Sequence, residues 1–163
     1  MSDTVEVERK FLVDEVPNDD MGAGAEIIQG YLAVGDGEEV RLRAKKGRCF
    51  LTVKRGSGLE RAEVEVVIDR EQFDPLWPAT EGRRVEKTRY EVPVGSLTAE
   101  LDRYHGALDG LLTVEVEFPS VEEAASFDPP EWFGREVTDD ARFKNQRLAV
   151  DGLPTLSRVK GEE

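Results

Sequence analysis

The chain has 163 residues, of which 35 are Asp or Glu and 22 are Lys or Arg, so its formal net charge is −13. This length is enough for one domain with a substantial core. The negative charge argues against general binding to nucleic acid or to anionic membrane surfaces. A small anion is not excluded, because closely spaced fixed charges in a pocket outweigh a distant net charge.

The single cysteine, Cys49, cannot form an internal disulfide bond, and a free buried thiol is its expected state. The sequence begins without a basic and apolar leader and contains no long uninterrupted apolar run. We therefore expect a soluble, cytoplasmic protein. Its expected organisation is one domain over residues 1–152 with a loose tail over residues 153–163.

The stretch VEVERKFLV, residues 5–13, predicts a strand with one charged face. Glu6, Glu8 and Lys10 lie two residues apart, so their side chains project to the same side of an extended chain. The intervening positions are mostly apolar. A solvated face would give the same pattern in a single strand, so the interpretation depends on whether the pattern recurs.

The next elements are predicted strands joined by turns. Residues 14–25 are rich in turn-forming residues, and a strand is predicted over residues 26–34. Two alternating runs on either side of residues 46–48 predict a hairpin. The most regular alternation of β-branched and charged residues, over residues 59–69, predicts a further strand.

Two prolines interrupt this pattern in REQFDPLWPAT, residues 70–80. This stretch predicts a short helix in which Phe73 and Trp77 pack outward from the sheet. Three more strands are predicted after it. Two of them are joined at Gly95, and the third follows a turn at residues 109–110.

Two helices are predicted near the end of the chain. The first begins after Ser120 as the candidate N-cap and ends before Pro129. The second is capped by Thr138 or Asp139 and stops at Gly152. Lys144 and Arg147 on this second helix could reach one mouth of a barrel, although a solvated helix face is the favoured interpretation.

The period-two spacing of charges in the first strand returns in five further stretches. Two carry basic pairs, two carry acidic pairs, and one combines a basic residue with two acidic ones. Independent solvated faces need not sort their charges by sign, whereas a shared site for a polyanion and cations would require such sorting. The stretches are VRLR with Arg41 and Arg43, LERAEVEV with Arg61, Glu63 and Glu65, EKTRY with Lys87 and Arg89, AELD with Glu100 and Asp102, and VEVEF with Glu115 and Glu117.

Eight strand candidates in hairpin order predict a mainly β fold, an eight-stranded antiparallel barrel with two or three helices outside it. A barrel of this size is just wide enough to be filled by side chains or to hold one small ligand. The charged faces would line the lumen. The apolar faces would then pack outward against helices and loops, which reverses the usual position of the core.

These segments resemble the CYTH superfamily, the triphosphate tunnel metalloenzymes. The resemblance runs from about residue 5 to about residue 148 and depends on eight segments in the same order, because any one of them is a weak signal. It implies an eight-stranded tunnel that binds triphosphate groups together with Mg²⁺ or Mn²⁺. The segments are E-x-E-x-K at residues 6–10, IIQGYL, VRLR, LTVK, R-x-E-x-E, EKTRY, ELD and VEVEF.

Phosphoryl transfer requires that the anion be positioned, its charge neutralised and a nucleophile oriented. Arginine binds phosphate through two parallel hydrogen bonds and lysine acts as a point charge. The candidate phosphate ligands are Lys10, Arg41, Arg43, Lys54, Arg61, Lys87 and Arg89. Carboxylates suit hard divalent cations, and the candidate metal ligands are Glu6, Glu8, Glu63, Glu65, Asp102, Glu115 and Glu117.

The resemblance also suggests which residues take part in catalysis. One metal would bind phosphate oxygens and a second would lower the pKa of an attacking water. Glu6 and Glu8 are favoured for accepting the proton of that water, with Lys10 as the motif lysine. Tyr31 resembles a family tyrosine that contacts this lysine, although packing in the core would also account for it.

We predict a metal-dependent enzyme that hydrolyses inorganic triphosphate, or a related linear triphosphate, to pyrophosphate and phosphate. The ERKFLV segment and the short length look more like the bacterial inorganic triphosphatases than like the nucleotidyl cyclases. The alternatives are a class IV-type adenylate cyclase, a thiamine triphosphatase, and a non-catalytic module that binds polyphosphate or nucleotide. The expected partner is a small polyanion, without nucleic acid or membrane, and the protein would be a monomer or a homodimer.

Overall fold

A computed structural model of the chain describes residues 7–17, 21–57 and 60–155. No helix in these ranges has both the length and the apolar composition needed to cross a membrane. The strands are β1 (Val7–Leu12), β2 (Ala25–Gly35), β3 (Glu38–Lys45), β4 (Arg48–Ser57), β5 (Glu60–Ile68), β6 (Arg84–Val94), β7 (Leu97–Tyr104) and β8 (Leu112–Phe118). The α-helices are α1 (Arg70–Leu76), α2 (Val121–Ser126) and α3 (Asn145–Asp151), and the 3₁₀ turns are Trp77–Thr80, Gly106–Leu108 and Ala141–Phe143.

The strands form one sheet in the order β1-β8-β7-β6-β2-β3-β4-β5, and each neighbouring pair is antiparallel. The prediction of an eight-stranded antiparallel sheet is therefore confirmed. The predicted hairpin between β3 and β4 is also present. Its two turn residues, Lys46 and Gly47, have φ values of 52° and 78°, as the favoured two-residue hairpin turn requires.

The register of the strands brings the charged faces together. Residues directly opposite each other in an antiparallel pair point to the same side of the sheet. Lys10 lies opposite Glu115 and Glu115 lies opposite Glu100, while Arg89 lies opposite Asp102 on the neighbouring pair. The prediction that these charges share one face is therefore correct.

The apolar faces of the strands pack outward, as predicted. Phe11, Leu101, Val114 and Val116 are buried in one cluster with Phe133, which comes from the chain beyond α2. Further along the same outer face, α1 packs over β3 and β4. Here Phe73 packs with Leu42 and Cys49 and stacks on Trp77 at a ring-centroid distance of 5.2 Å. The predicted outward packing of the two aromatic residues is confirmed.

The free edge of β1 is occupied by residues 134–138 and not by β5. The backbone N–H of Leu12 donates to the Arg135 carbonyl at 2.8 Å, and the N–H of Val137 donates to the Lys10 carbonyl at 2.8 Å. Arg9 adds an ion pair with Glu136 at 2.7 Å. Within the residues that the structure describes, hydrogen bonds therefore do not close the sheet into a ring between β1 and β5.

The helices near the end of the chain agree with the sequence in part. Ser120 caps α2, since its Oγ accepts a hydrogen bond from the N–H of Glu123, and α3 ends at Gly152, where φ is 82°. The predicted start of the last helix is wrong. Its cap is neither Thr138 nor Asp139, because the Thr138 hydroxyl accepts the N–H of Lys10 at 3.0 Å.

The actual start of this last segment is a 3₁₀ turn. The Asp140 carboxylate accepts the N–H of Arg142 at 3.1 Å and so caps residues Ala141–Phe143. Lys144 then has extended backbone dihedral angles and precedes α3. The break at Lys144 changes the direction of the chain, and this places α3 across one end of the charged face, where it contacts β6 and β2.

Candidate active site

The candidate active site is a cavity between the charged face of the sheet and residues 137–146. Its volume is about 130 Å³. The edge strand β1 and strand β4, which lies next to the opposite edge, both contribute to it, so the sheet curls around the cavity. Six residues predicted from the sequence line it: Glu8, Lys10, Tyr31, Arg41, Lys54 and Glu115.

A buried ion cluster lies on β6 and β7. The Lys87 ammonium is fully buried and lies 2.9 Å from Asp102, and Arg89 binds both oxygens of the same carboxylate at 2.8 and 2.9 Å. Burial would raise the pKa of Asp102, but the charges of Lys87 and Arg89 hold that pKa well below its usual range. Both oxygens of Asp102, one of the predicted metal ligands, are therefore engaged by cations of β6.

The cations of this cluster are incompletely neutralised. Burial lowers the pKa of Lys87 to about 8 despite the neighbouring Asp102, and the charges of Arg89 and Arg43 add to the lowering. Burial, together with the charges of Arg41 and Arg89, lowers the pKa of Arg43 to about 10. A bound anion would oppose both shifts, because a nearby negative charge favours the charged form of a base.

Arg41 carries a buried donor without an acceptor. Its Nε atom makes no hydrogen bond to any residue that the structure describes, and its Nη1 atom lies 3.6 Å from the Glu39 carboxylate. A buried guanidinium N–H that is left unpaired costs free energy. Arg41 also lines the cavity, so an anion bound there would supply the missing acceptor.

Tyr31 and Lys10 both line the cavity. Their recorded hydrogen bonds are to different residues. The Tyr31 hydroxyl accepts a hydrogen bond from Gln29 Nε2 at 2.9 Å, and Gln29 in turn accepts one from Arg43 at 3.2 Å. Burial raises the pKa of Tyr31 to about 12. The Lys10 ammonium donates to the Phe143 carbonyl at 2.6 Å, so among the described residues its recorded hydrogen bond is with the segment that closes the cavity.

Acidic residues of β1 and β8 lie beside Lys10. Glu8 is opposite Glu117 in the register, and Glu8 and Glu115 share a hydrogen bond. Burial would raise the pKa of Glu115, but this hydrogen bond and the charge of Lys10 lower it. Glu115 also lines a second, more open cavity with Glu91, Glu100 and Glu117, so the acidic side chains extend away from the basic end of the site.

The acidic residues of β5 have local partners. Glu63 lies 3.9 Å from Lys54, and Glu65 accepts a hydrogen bond from Thr52 at 3.0 Å. Neither of them lines the cavity. Glu6 lies outside the described residues. Arg61 occupies β5 opposite Gly56, but its side chain is also outside the described part.

Among the described residues, the predicted metal ligands include a pair of carboxylates in contact. In the described ranges, no three Asp, Glu, His or Cys side chains are close enough together to hold a metal ion. Glu8 and Glu115 contact each other through a shared hydrogen bond. Two carboxyl groups in contact need a proton or a cation between them to offset their repulsion, so this pair fits a hard divalent cation whose other ligands come from water and phosphate.

Three residues that line or support the cavity were not predicted to be in the site. Glu39 is buried beside Arg41, and its two-residue spacing from Arg41 was a usable signal. Gln29 joins Tyr31 to Arg43. Lys144 is exposed and also lines the cavity, just before α3 begins. Arg147 does not line this cavity and pairs with Asp151 at 2.6 Å.

Comparisons with known proteins give consistent results. The sequence profile of the CYTH domain matches residues 4–146. The chain is 51% identical over 148 residues to the inorganic triphosphatase of Nitrosomonas europaea, covering 89% of this chain and 97% of that protein. It is 36% identical over 145 residues to the inorganic triphosphatase of Acetivibrio thermocellus, covering 88% and 92%. A crystal structure of an inorganic triphosphatase shares 45% identity, covers 93% of this chain and 98% of its own, and has a TM-score of 0.74.

Proposed function

The chain belongs to the CYTH domain family, and from this premise we propose that it hydrolyses inorganic tripolyphosphate to pyrophosphate and phosphate. The observation that carries the proposal is the buried Arg41 Nε without an acceptor at the wall of a cation-rich cavity. The two relatives described above as inorganic triphosphatases support the same substrate class. The enzyme is accordingly a phosphoanhydride hydrolase.

Basic residues of several strands would bind the phosphate chain. Arg41, Lys10 and Lys54 face the cavity directly, and Arg43 is held next to them by Gln29. Lys87 and Arg89 remain fixed on Asp102 behind this layer. Such fixed cations lower the energy of a highly charged substrate and of its transition state without having to reorganise during the reaction.

The acidic residues would provide a site for Mg²⁺ or Mn²⁺. Glu8 and Glu115 are the proposed ligands, with Glu117 of β8 as a further oxygen donor and Glu6 retained as a candidate from the sequence. A divalent cation bound there would neutralise phosphate oxygens and lower the pKa of a water molecule. Glu8 is the proposed acceptor of the proton from the attacking water, because it belongs to the first strand and lies beside Lys10 in the cavity.

The size of the cavity favours a compact anion over a nucleotide. Its volume of about 130 Å³ is smaller than the roughly 300–1,000 Å³ of pockets that enclose drug-sized ligands. A cyclase must also hold the ribose 3′-hydroxyl in line with the α-phosphorus, which requires specific contacts with the sugar and the base. Adenylate cyclase and thiamine triphosphatase activities are therefore less well supported. A cytoplasmic location and a monomeric or dimeric state remain predictions.

We expect tripolyphosphate to be hydrolysed much faster than ATP or thiamine triphosphate. The physical reason is that the cavity recognises the phosphate chain, so an adenosine or thiamine group gains no contacts there. Chromatographic separation of products, run with each substrate and with Mg²⁺ or Mn²⁺, measures this directly. Cyclic AMP as the main product from ATP, with tripolyphosphate left intact, would show that the proposed function is wrong.

Arg41→Ala and Arg43→Ala are each expected to weaken substrate binding about tenfold to a hundredfold, because each removes charge-assisted hydrogen bonds to phosphate. Titration calorimetry with a non-hydrolysable imido analogue of tripolyphosphate measures the affinity. Metal binding should change little, since these arginines are on β3 and the proposed metal ligands are on β1 and β8. Arg103→Ala is the control, since Arg103 is an exposed residue next to Asp102 on the opposite face of β7. If Arg41→Ala and Arg43→Ala bound the analogue as tightly as Arg103→Ala and the wild type, the anion would have to bind elsewhere.

A further inference from the structure

An acidic side chain lies in the wall of the cavity among the proposed phosphate ligands. Glu39 belongs to β3, lines the cavity and is 6% exposed. The register places it opposite Lys54 of β4, and it lies two residues from Arg41 on the same face of β3. Glu8 and Glu115, the proposed metal ligands, come instead from β1 and β8. Glu39 is therefore a fixed negative charge on the wall that would bind phosphate.

Glu39 neutralises Arg41 incompletely. The distance from Arg41 Nη1 to the Glu39 carboxylate is 3.6 Å, which is longer than the roughly 2.7–2.9 Å of a charge-assisted hydrogen bond. Arg41 Nε is buried and has no acceptor among the residues that the structure describes. The carboxylate is thus close enough to attract the guanidinium to this wall, but it leaves a donor of Arg41 for a bound anion.

The charges of Glu39 and Arg41 act in opposite directions on a third group of the cavity. Burial raises the pKa of Tyr31 to about 12, the charge of Arg41 opposes this rise, and the charge of Glu39 adds to it. Tyr31 lines the same cavity, and a charge that acts on its hydroxyl also acts on an anion bound there, because the effective dielectric constant near buried groups is lower than in bulk water. Glu39 would therefore repel the phosphate chain that Arg41 attracts.

We propose that Glu39 limits the affinity of the cavity for phosphate anions, so that pyrophosphate can dissociate after hydrolysis. The proposal rests on the proposed function. The repulsion from Glu39 acts on substrate, transition state and product alike, since all of them carry negative charge at the same wall. Binding energy that is shared in this way lowers KM without raising kcat, and it also retains the product. A carboxylate beside the cations therefore weakens binding that would not accelerate the reaction.

Calorimetry and initial rates of Glu39→Gln test this role. Glutamine is nearly the same size, and its amide oxygen can still accept a hydrogen bond from Arg41, but the negative charge is gone. We expect the affinity for the imido analogue, measured without metal, to rise about threefold to tenfold, and the affinity for pyrophosphate to rise less, because pyrophosphate carries fewer charges. The KM for tripolyphosphate should fall by a similar factor, and kcat should not rise. Pyrophosphate should inhibit the variant at a lower concentration than it inhibits the wild type.

Glu38→Gln is the matched control. It removes the same formal charge from the neighbouring position of β3, but Glu38 is exposed on the opposite face of the strand, so solvent and salt screen its charge. Its affinity for the analogue should stay within about twofold of the wild type. Glu39→Asp keeps the charge and should do the same, which provides a second test if Glu39→Gln lowers the stability of the protein.

The sign of the effect distinguishes the proposal from a structural role. Unchanged or lower affinity in Glu39→Gln would overturn it, because loss of a ligand contact, of a metal ligand or of local structure weakens binding. An equal gain in Glu38→Gln or in Glu39→Asp would also overturn it, since the gain would then not depend on the charge at this place. If the wild-type protein bound the analogue and pyrophosphate without hydrolysing tripolyphosphate, the proposed function would fail, while the affinities would still decide the role of Glu39.

Discussion

Glu8→Gln is expected to slow tripolyphosphate hydrolysis by at least about a hundredfold while the fold is retained. Glu8 shares a hydrogen bond with Glu115 and lies opposite Glu117, so it belongs to the densest group of carboxylates near the cavity. The glutamine side chain has nearly the same size, but it carries no charge with which to attract a divalent cation. It also cannot accept a proton from water as a carboxylate does.

The stability of this variant should be unchanged or slightly higher, because one of several like charges in contact has been removed. Phosphate release with saturating substrate and metal measures the rate, and thermal unfolding measures the stability. Glu86→Gln, which changes an exposed glutamate of β6, should behave like the wild type. Wild-type activity of Glu8→Gln, or full activity of the wild type in excess EDTA, would exclude the proposed metal site.

Asp102→Ala is expected to destabilise the protein by about 3–5 kcal/mol, the usual result of removing one partner from a buried ion pair. Lys87 is fully buried, and Arg89 is bound to the same carboxylate by two hydrogen bonds. Without Asp102, both cations would remain in a low-dielectric environment with little compensation. Denaturant unfolding at neutral pH measures the loss of stability.

A second substitution and the pH dependence separate this effect from a packing defect. Lys87→Met added to Asp102→Ala should restore part of the stability, because one uncompensated charge is removed. The folded-state pKa of Asp102 is lowered, so its stabilising contribution is present above the ordinary aspartate pKa of about 3.9 and is lost as the pH falls below it. The stability of Asp102→Ala should therefore fall less between neutral and acidic pH than that of the wild type. An equal loss in both proteins would contradict the assignment.

The sequence was sufficient to predict the strands and the composition of their inner face. Period-two spacing places Glu8 and Lys10, or Arg41 and Arg43, on one side of a strand whatever its neighbours are, because successive side chains of a strand alternate between two faces. Turn residues such as Lys46 and Gly47 fix the hairpins, and each hairpin fixes the register of its two strands. Local rules therefore account for the antiparallel sheet and for its charged face.

The pairing of distant strands and the end of the cavity depend on tertiary structure. Periodicity identifies the face on which Asp102 lies, but not that Lys87 and Arg89 would occupy both of its oxygens, because that depends on the depth of burial and on the exact register of β6 and β7. The edge of β1 is closed by residues 134–138, a contact between segments more than 120 residues apart in the chain. No local pattern encodes that contact, since several of its donors and acceptors are backbone groups that every sequence carries. The same contact places Lys144, which the sequence assigned to a helix, at the wall of the site.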